Sequence, residues 1–303
     1  MGMFKPTLIS AALLATGSMG AQAETVIDLF DTPQSTLSVC YIDTTIDPNV
    51  TACSDGGTAG QGGEESSRVS SAGGDIVGME RDLFIEATGS DIDPDTGIHI
   101  AGAESEISVT AGGGGVLSWS NDSGAESIAT VQWDGVGDTN PEDLVFNLGL
   151  DLSGETQFVV DVRSSDLNFE FSINLYTDAD TYTKITLLSD QVSPPGGPEP
   201  GLALTSWTTT AEFLCASFGN PVPTPPLGQG DFDQVVSVEC GSDGVVDLAN
   251  IGAIEAVFNT AGTAEVDLSI RSIIAVPVPS TLALFGGSLI AFGMMLGRRK
   301  AAL

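Results

Sequence analysis

The chain has 303 residues, of which 41 are acidic and nine are lysine or arginine, so its formal net charge at pH 7 is −32. Such a charge repels nucleic acids and anionic lipids, which excludes them as direct partners, and it attracts cations. Only one histidine is present, His99, so a histidine-dependent triad would have to use that residue.

The first 23 residues have the pattern of a secretory signal peptide. Lys5 precedes an apolar run from Leu8 to about Met19, and Ala21-Gln22-Ala23 has the form of an A-x-A cleavage site. The apolar run is too short to span a bilayer. We predict cleavage after Ala23 and export of the chain that follows.

Residues 24–276 are predicted to form one body. Outside the two ends only five basic residues remain against all 41 acidic ones, which gives this body a net charge of −36. No repeat with a period of about 20 to 50 residues is visible. We therefore expect a single domain.

Short runs of β-branched and aromatic residues fill the body, separated by Gly, Asn, Asp, Ser and Pro. In Phe158–Arg163 and Phe169–Asn174, apolar and polar residues alternate, so each segment has one apolar face. This period of two predicts an all-β fold, an antiparallel β-sandwich or jelly roll. The predicted strands are Thr25–Phe30, Leu37–Ile42, Asp82–Ala87, Ile98–Ala101, Glu106–Thr110, Gly115–Asn121, Ile128–Asp134, Leu144–Asn147, Gln157–Arg163, Phe169–Thr177, Thr183–Leu188, Thr205–Leu214, Ile254–Asn259 and Glu265–Ile274.

Three segments are predicted to be loops. Ser54–Gly74 is rich in Gly and Ser and poor in apolar residues, so we expect it to be mobile. Pro194–Gly201 and Gly219–Gly230 are proline-rich connections between strands.

The four cysteines are even in number and fall in the part predicted to be exported, which predicts disulfides. Three pairings are possible. We favour the sequential one because each bond would then close a turn-rich loop: Cys40 with Cys53, and Cys215 with Cys240.

One segment has the spacing of a calcium site. Asp91, Asp93 and Asp95 occupy alternate positions before Gly97, and calcium binds several oxygens around a tight turn. A solvated acidic turn is the alternative, because Thr96 interrupts the EF-hand pattern. We expect no cofactor other than this possible structural calcium. Asp178-Ala179-Asp180 is predicted to be a hairpin turn.

Among the other candidate site residues, we expect His99 to lie on the surface of a strand rather than to act as a general base. Five aromatic residues could stack on sugar rings, but for each of them packing in the core or at a sheet edge is favoured over ligand contact: Trp119, Trp133, Trp207, Tyr176 and Tyr182. Trp133 in particular has Val131 on its own face of the strand, which favours the core. Trp207 and Tyr182 are flanked by Thr and Ser and are the preferred candidates for stacking on sugar rings.

The C-terminal end is predicted to be a membrane-spanning sorting helix. Ser280–Gly297 contains 18 uncharged residues, which as a helix would measure about 27 Å. Arg298, Arg299 and Lys300 follow directly and should remain cytoplasmic, which leaves the body outside.

The tail resembles a PEP-CTERM sorting signal. Pro277-Val278-Pro279, the apolar span and the terminal Arg298-Arg299-Lys300 occur in the order that such signals have, with Val278 where Glu is commonest. The resemblance implies that residues 277–303 form the sorting tail and that an exosortase processes it. It also implies a membrane-tethered precursor that is then transferred to the cell surface or the extracellular matrix.

The body resembles a group of PEP-CTERM proteins in four segments: Glu80–Leu83, Leu117–Gly124, Val131–Gly135 and Asn250–Glu255. It is also similar to the galactose-binding-like jelly rolls of carbohydrate-binding modules. The segments that carry this second resemblance are Leu150–Ser153, Phe158–Leu188, Trp207–Thr209, Asn250–Ile254 and Val266–Ile274. This resemblance implies a fold and suggests a carbohydrate ligand.

Three functions are consistent with the sequence. The first is a non-enzymatic matrix or cell-surface protein that associates with exopolysaccharide. The second is a structural or adhesive biofilm protein with protein partners. The third is a glycoside hydrolase that uses two carboxylates. No GxSxG, HExxH or P-loop motif occurs, and we expect the first.

Overall fold

The computed structural model describes residues 24–41, 58–60, 63–90, 103–111, 114–137, 139–166, 169–189, 202–203, 232–260 and 266–277. Glu24–Val276 forms one compact unit. The predicted strands Ile98–Ala101 and Thr205–Leu214, and the predicted loops Pro194–Gly201 and Gly219–Gly230, lie outside the described residues.

The fold is all-β, with two mainly antiparallel sheets arranged as a sandwich, as predicted. Sheet A has the order β12-β9-β15-β7-β6-β2-β3, with β1 paired to β15. Its strands are β1 Thr25–Asp28, β2 Gln34–Tyr41, β3 Thr58–Gly60, β6 Glu104–Thr110, β7 Val116–Asn121, β9 Glu155–Ser165, β12 Leu202–Ala203 and β15 Asp267–Pro277. Apart from the parallel β2–β3 pair, the strand pairs whose register is described are antiparallel.

Sheet B has the order β13-β11-β10-β14-β8-β5-β4. Its strands are β4 Glu64–Ser70, β5 Glu80–Ser90, β8 Ala125–Trp133, β10 Glu170–Tyr176, β11 Tyr182–Ser189, β13 Phe232–Cys240 and β14 Ala253–Asn259. A short 3₁₀ turn, Val77–Met79, precedes β5. The predicted turn Asp178–Asp180 joins β10 to β11, and the Asp178 carboxylate accepts hydrogen bonds from the backbone N–H groups of Asp180 and Thr181.

The core lies between the two sheets and is formed by alternate residues of their strands. Trp119 on β7 and Trp133 on β8 are fully buried, which confirms their prediction as packing residues. The Trp119 ring lies 6.2 Å from the ring of Phe258 on β14, so aromatic side chains from sheets A and B meet in the middle of the sandwich.

A buried ion pair joins the two sheets at one end of this core. Arg81 on β5 donates from Nη1 to both carboxylate oxygens of Asp28 on β1, at 3.1 and 3.0 Å, and both side chains have no solvent exposure. Arg81 also donates to Gln34 Oε1 and to the Thr32 carbonyl, while Trp133 Nε1 donates to Asp28. Burial raises the pKa of Asp28, and Arg81 and Trp133 oppose that rise.

The prediction of a mobile loop over Ser54–Gly74 is wrong for most of the described part. Thr58–Gly60 and Glu64–Ser70 are strands β3 and β4, each at the edge of a sheet. An edge strand needs little apolar surface, and polar side chains protect it. Here Gln34 Nε2 donates to the carbonyl and the hydroxyl of Ser67, so hydrogen bonds secure β4 where apolar burial does not.

The prediction of a strand over Leu144–Asn147 is also wrong, since this segment is an irregular connection. Its backbone bonds to the residue that follows β8 rather than to a strand. Val145 N donates to Asp134 Oδ2 and Asn147 N donates to the Asp134 carbonyl, both at 2.9 Å. Apolar content alone therefore misidentified a segment that has no ladder partner.

Two of the four cysteines are described. Cys40 on β2 and Cys240 on β13 are both disulfide-bonded. Cys53 and Cys215 lie outside the described residues, so the pairing stays a prediction.

The last described strand, β15, ends at Pro277, the first residue of the predicted sorting motif. Val278, Pro279, Arg298, Arg299 and Lys300 lie outside the described residues, as does the predicted signal peptide. Within the described ranges, no helix has the length and apolarity needed to cross a membrane.

Candidate functional site

A row of polar side chains crosses sheet B on the face that points away from the core. Strand register aligns its members directly, one from each of the seven strands. Their positions alternate with core residues such as Val131, Leu175 and Ile254, so they lie on the opposite face. The row, called the polar row below, consists of Glu239, Lys184, Asn174, Glu255, Gln132, Asp82 and Arg68.

Glu255 on β14 is the centre of the polar row and collects three hydrogen bonds. Gln132 Nε2 donates to Oε1 at 2.8 Å, and Asn174 Nδ2 donates to Oε2 at 3.3 Å. The Tyr176 hydroxyl, one step along β10, donates a short hydrogen bond to Oε2. These donors fix the carboxylate against the sheet.

The protonation of Tyr176 is secured by its surroundings. Burial raises the pKa of its hydroxyl, and the adjacent Glu255 carboxylate raises it further, because a phenolate there would be desolvated and repelled. Tyr176 therefore remains a hydrogen-bond donor at neutral pH.

Tyr182 and Lys184 on β11 form the more accessible end of the site with Glu239. The Tyr182 hydroxyl donates to Glu239 Oε1 at 2.7 Å, and this hydrogen bond raises the pKa of Tyr182. Its ring centroid lies 5.6 Å from that of Tyr176, with a tilt of 46°. Lys184 Nζ lies 5.1 Å from the Tyr182 centroid and 5.7 Å from the Tyr176 centroid, within range of a cation–π interaction with both rings.

Two side-chain oxygens beside Glu255 lack a hydrogen-bond partner among the described residues. They are Gln132 Oε1 and Asn174 Oδ1, which belong to side chains that are only 7% and 5% exposed. A buried acceptor without a donor carries a desolvation cost of about 1–3 kcal/mol. Both oxygens have almost no accessible surface, so a ligand with donors would reach them only after a local shift of the side chains around them.

An ion-pair cluster terminates the polar row at the opposite edge. Arg68 on β4 donates from Nε to Asp82 at 2.8 Å and also pairs with Glu80. Asp82 and Glu80 are almost fully buried. These charges are committed to one another and fix the edge of the sheet.

The connection after β8 reaches over the same face. The ring of Phe146 lies 6.0 Å from that of Tyr176, and Ser66 on β4 donates to Glu142 Oε1 at 3.0 Å. This connection therefore borders the polar row on one side.

Only part of the predicted site falls within the described chain. Tyr182 lies beside Tyr176, which was a candidate but not a preferred one, whereas Trp207 lies outside the described residues. Asp91, Asp93, Asp95 and His99 are also outside. Among the described side chains, no three or more His, Cys, Asp or Glu residues group in a way that could hold a metal ion.

Comparisons with known proteins identify no family. No family model matches the chain, and no curated protein matches it. A solved structure of an exo-beta-agarase is similar at 15% identity and a TM-score of 0.36, over 64% of this chain. The match spans a quarter (25%) of the length of the agarase chain.

Proposed function

We propose that this chain is an exported, non-enzymatic β-sandwich that associates with exopolysaccharide through the outer face of sheet B. The observation that carries the proposal is the paired rings of Tyr176 and Tyr182 beside the polar row. Sugars bind proteins through aromatic ring faces together with fixed polar groups, and both are positioned here by strand register.

The individual groups suit a sugar. The ring of Tyr182 supplies apolar surface at the half-exposed end of the site, and Lys184 supplies N–H donors for sugar oxygens. Glu239 and Glu255 supply acceptors for sugar hydroxyls. Because strands of one sheet hold all four residues, little conformational entropy is lost when a sugar binds.

The carboxylates of this face favour binding over hydrolysis. Glu255 accepts three hydrogen bonds, Glu239 accepts from Tyr182, and Asp82 pairs with Arg68. A glycoside hydrolase needs one carboxylic acid free to give a proton and a second free to act on the sugar or on water. The partners of these carboxylates support a role in shaping and binding rather than in proton transfer.

The localisation in this proposal comes from the sequence. The signal peptide of residues 1–23 directs export, and the tail of residues 277–303 tethers the precursor until an exosortase-type enzyme processes it. The mature sandwich, of the jelly-roll type, then acts at the cell surface or in the matrix.

Binding of the purified full-length chain to a glycan array, and to polysaccharide from the producing cells, tests the proposal. We expect binding that Tyr182→Ala weakens at least tenfold and that Tyr182→Phe largely preserves, because the ring carries the contact. Ser118→Ala is the matched control, since Ser118 lies at an equivalent position on the outer face of sheet A. Turnover of any glycan, or the absence of glycan binding, would contradict the proposal.

A further inference from the structure

We propose that the polar row selects an uncharged, hydroxyl-rich polysaccharide and rejects its sulfated or uronate-bearing counterpart. This inference rests on the proposed function and names the class of polysaccharide. It follows from the acceptor oxygens that have no hydrogen-bond donor on this face and from the excess of carboxylates over cations there.

The polar groups of this face that lack a hydrogen-bond partner are acceptors. Gln132 Oε1 and Asn174 Oδ1 have no donor among the described residues, and both side chains adjoin the Glu255 carboxylate. Rotation of either amide would not help, because it would place a carbonyl oxygen against Glu255. A ligand that complements these oxygens must bring hydrogen-bond donors.

Gln132 shows most directly why its described neighbours in the sheet do not supply those donors. Its two partners in strand register are Glu255 on β14 and Asp82 on β5, and both are carboxylates. A carboxylate only accepts hydrogen bonds. The amide nitrogen can donate to one of these neighbours, but neither neighbour can donate to Oε1.

The charges of the face point to the same ligand. Four carboxylates in or directly beside the polar row, from Glu80, Asp82, Glu239 and Glu255, stand against the two cations of the row, Arg68 and Lys184. Arg68 is held by Asp82 and Glu80 at the edge. Sulfate and uronate groups bring only acceptors and negative charge, so they would meet repulsion here and across the acidic body.

Sugar hydroxyls have the complementary chemistry. Each hydroxyl carries one donor and two acceptor lone pairs, so it can donate to an amide oxygen or a carboxylate while it accepts from Lys184. A water molecule between a hydroxyl and a buried amide oxygen would give the same pairing. A neutral polysaccharide therefore satisfies the acceptors without adding charge.

The test compares each polysaccharide with its own sulfated form. Dextran, a xylan and a β-galactan are presented in neutral and chemically sulfated versions to the full-length chain at low and at physiological salt. We expect a neutral form to bind at least tenfold more tightly than its sulfated form, with little salt dependence. Gln132→Met and Asn174→Leu should each weaken neutral binding about tenfold, as expected for one lost hydrogen bond, whereas Ser118→Ala should not.

The outcomes separate the two proposals. If no polysaccharide binds in either form, the proposed function fails, and this inference fails with it. If sulfated forms bind as well or better, and Lys184→Gln removes that binding, polysaccharide association stands and selection for uncharged chains is wrong. Neutral binding that tolerates both amide variants in folded protein would overturn the assignment to Gln132 and Asn174.

Discussion

Replacing Arg81 by Met removes the cation from the buried ion pair that joins β5 to β1. In the native protein its guanidinium makes two hydrogen bonds to Asp28, one to Gln34 Oε1 at 2.9 Å and one to the Thr32 carbonyl at 2.7 Å. Met fills much of the same volume, so the main effect is electrostatic. Asp28 is left as a buried carboxylate with only neutral donors.

Removal of one partner from a buried ion pair costs about 3–5 kcal/mol. We expect Arg81→Met to lower the free energy of unfolding by that amount. With a urea m-value of about 3 kcal/mol per molar for a body of this size, the unfolding midpoint should fall by about 1 M or more. Arg163→Met is the matched control, because Arg163 is exposed on β9 and its loss should change stability by less than about 0.5 kcal/mol.

Asp28→Asn combined with Arg81→Met removes both charges. Because the two residues interact directly, the double variant should be less destabilised than the sum of the single variants by about 1–3 kcal/mol. The difference in the free energy of unfolding between Arg81→Met and the parent should also become smaller on acidification. Without the guanidinium the pKa of Asp28 rises further, and below about pH 4 the carboxyl is protonated in both the folded and the unfolded state.

Urea unfolding followed by tryptophan fluorescence measures five proteins: the parent, Arg81→Met, Asp28→Asn, the double variant and Arg163→Met. Trp133 reports on the network directly because it donates to Asp28. An Arg81→Met protein within about 1 kcal/mol of the parent would refute the reasoning. Strict additivity in the double variant would refute it as well.

Three further predictions concern the sandwich itself. Gly115→Ala should destabilise the protein by more than about 3 kcal/mol in thermal or urea unfolding, because an added Cβ would lie 1.7 Å from the Phe30 carbonyl oxygen. Gly114→Ala is the control, since open space surrounds it and only about 1–2 kcal/mol of backbone strain is expected. Equal destabilisation by the two variants would contradict this prediction. Burial raises the pKa of Glu155 against the opposing hydrogen bond from Thr25, so stability should fall as pH rises from about 4.3 through the folded-state pKa. Glu155→Gln should remove that part of the decline in a Tm-against-pH profile, and parallel profiles would argue against it. Non-reducing mass spectrometry of the exported protein should find two intrachain disulfides, since Cys40 and Cys240 are both bonded; free thiols would count against the predicted compartment.

Most strands with one buried face could be predicted, although β13, whose Val238 is buried, was missed. Alternation in Phe158–Arg163 and Phe169–Asn174 identified parts of β9 and β10, and it also placed Trp133 in the core. It failed for the edge strand β4, which is mostly polar although it pairs with β5 along its whole length. It failed in the opposite sense for Leu144–Asn147, which has apolar residues but no strand partner.

The site was less accessible to sequence analysis because register brings distant residues together. Tyr182 was selected from its neighbours, but Glu255 lies 73 positions later along the chain and joins the same row only through β10. Arg81 gave a similar difficulty. An arginine is ordinarily a surface residue, and only the ion pair with Asp28, 53 positions earlier in the chain, shows that Arg81 is buried.

The most direct test of the account is the affinity of the full-length chain for polysaccharide, measured with the parent, Tyr182→Ala, Tyr182→Phe and Ser118→Ala. We expect binding to a neutral polysaccharide that falls at least tenfold in Tyr182→Ala alone. Equal affinity in Tyr182→Ala and Ser118→Ala, or no affinity in the parent, would contradict it.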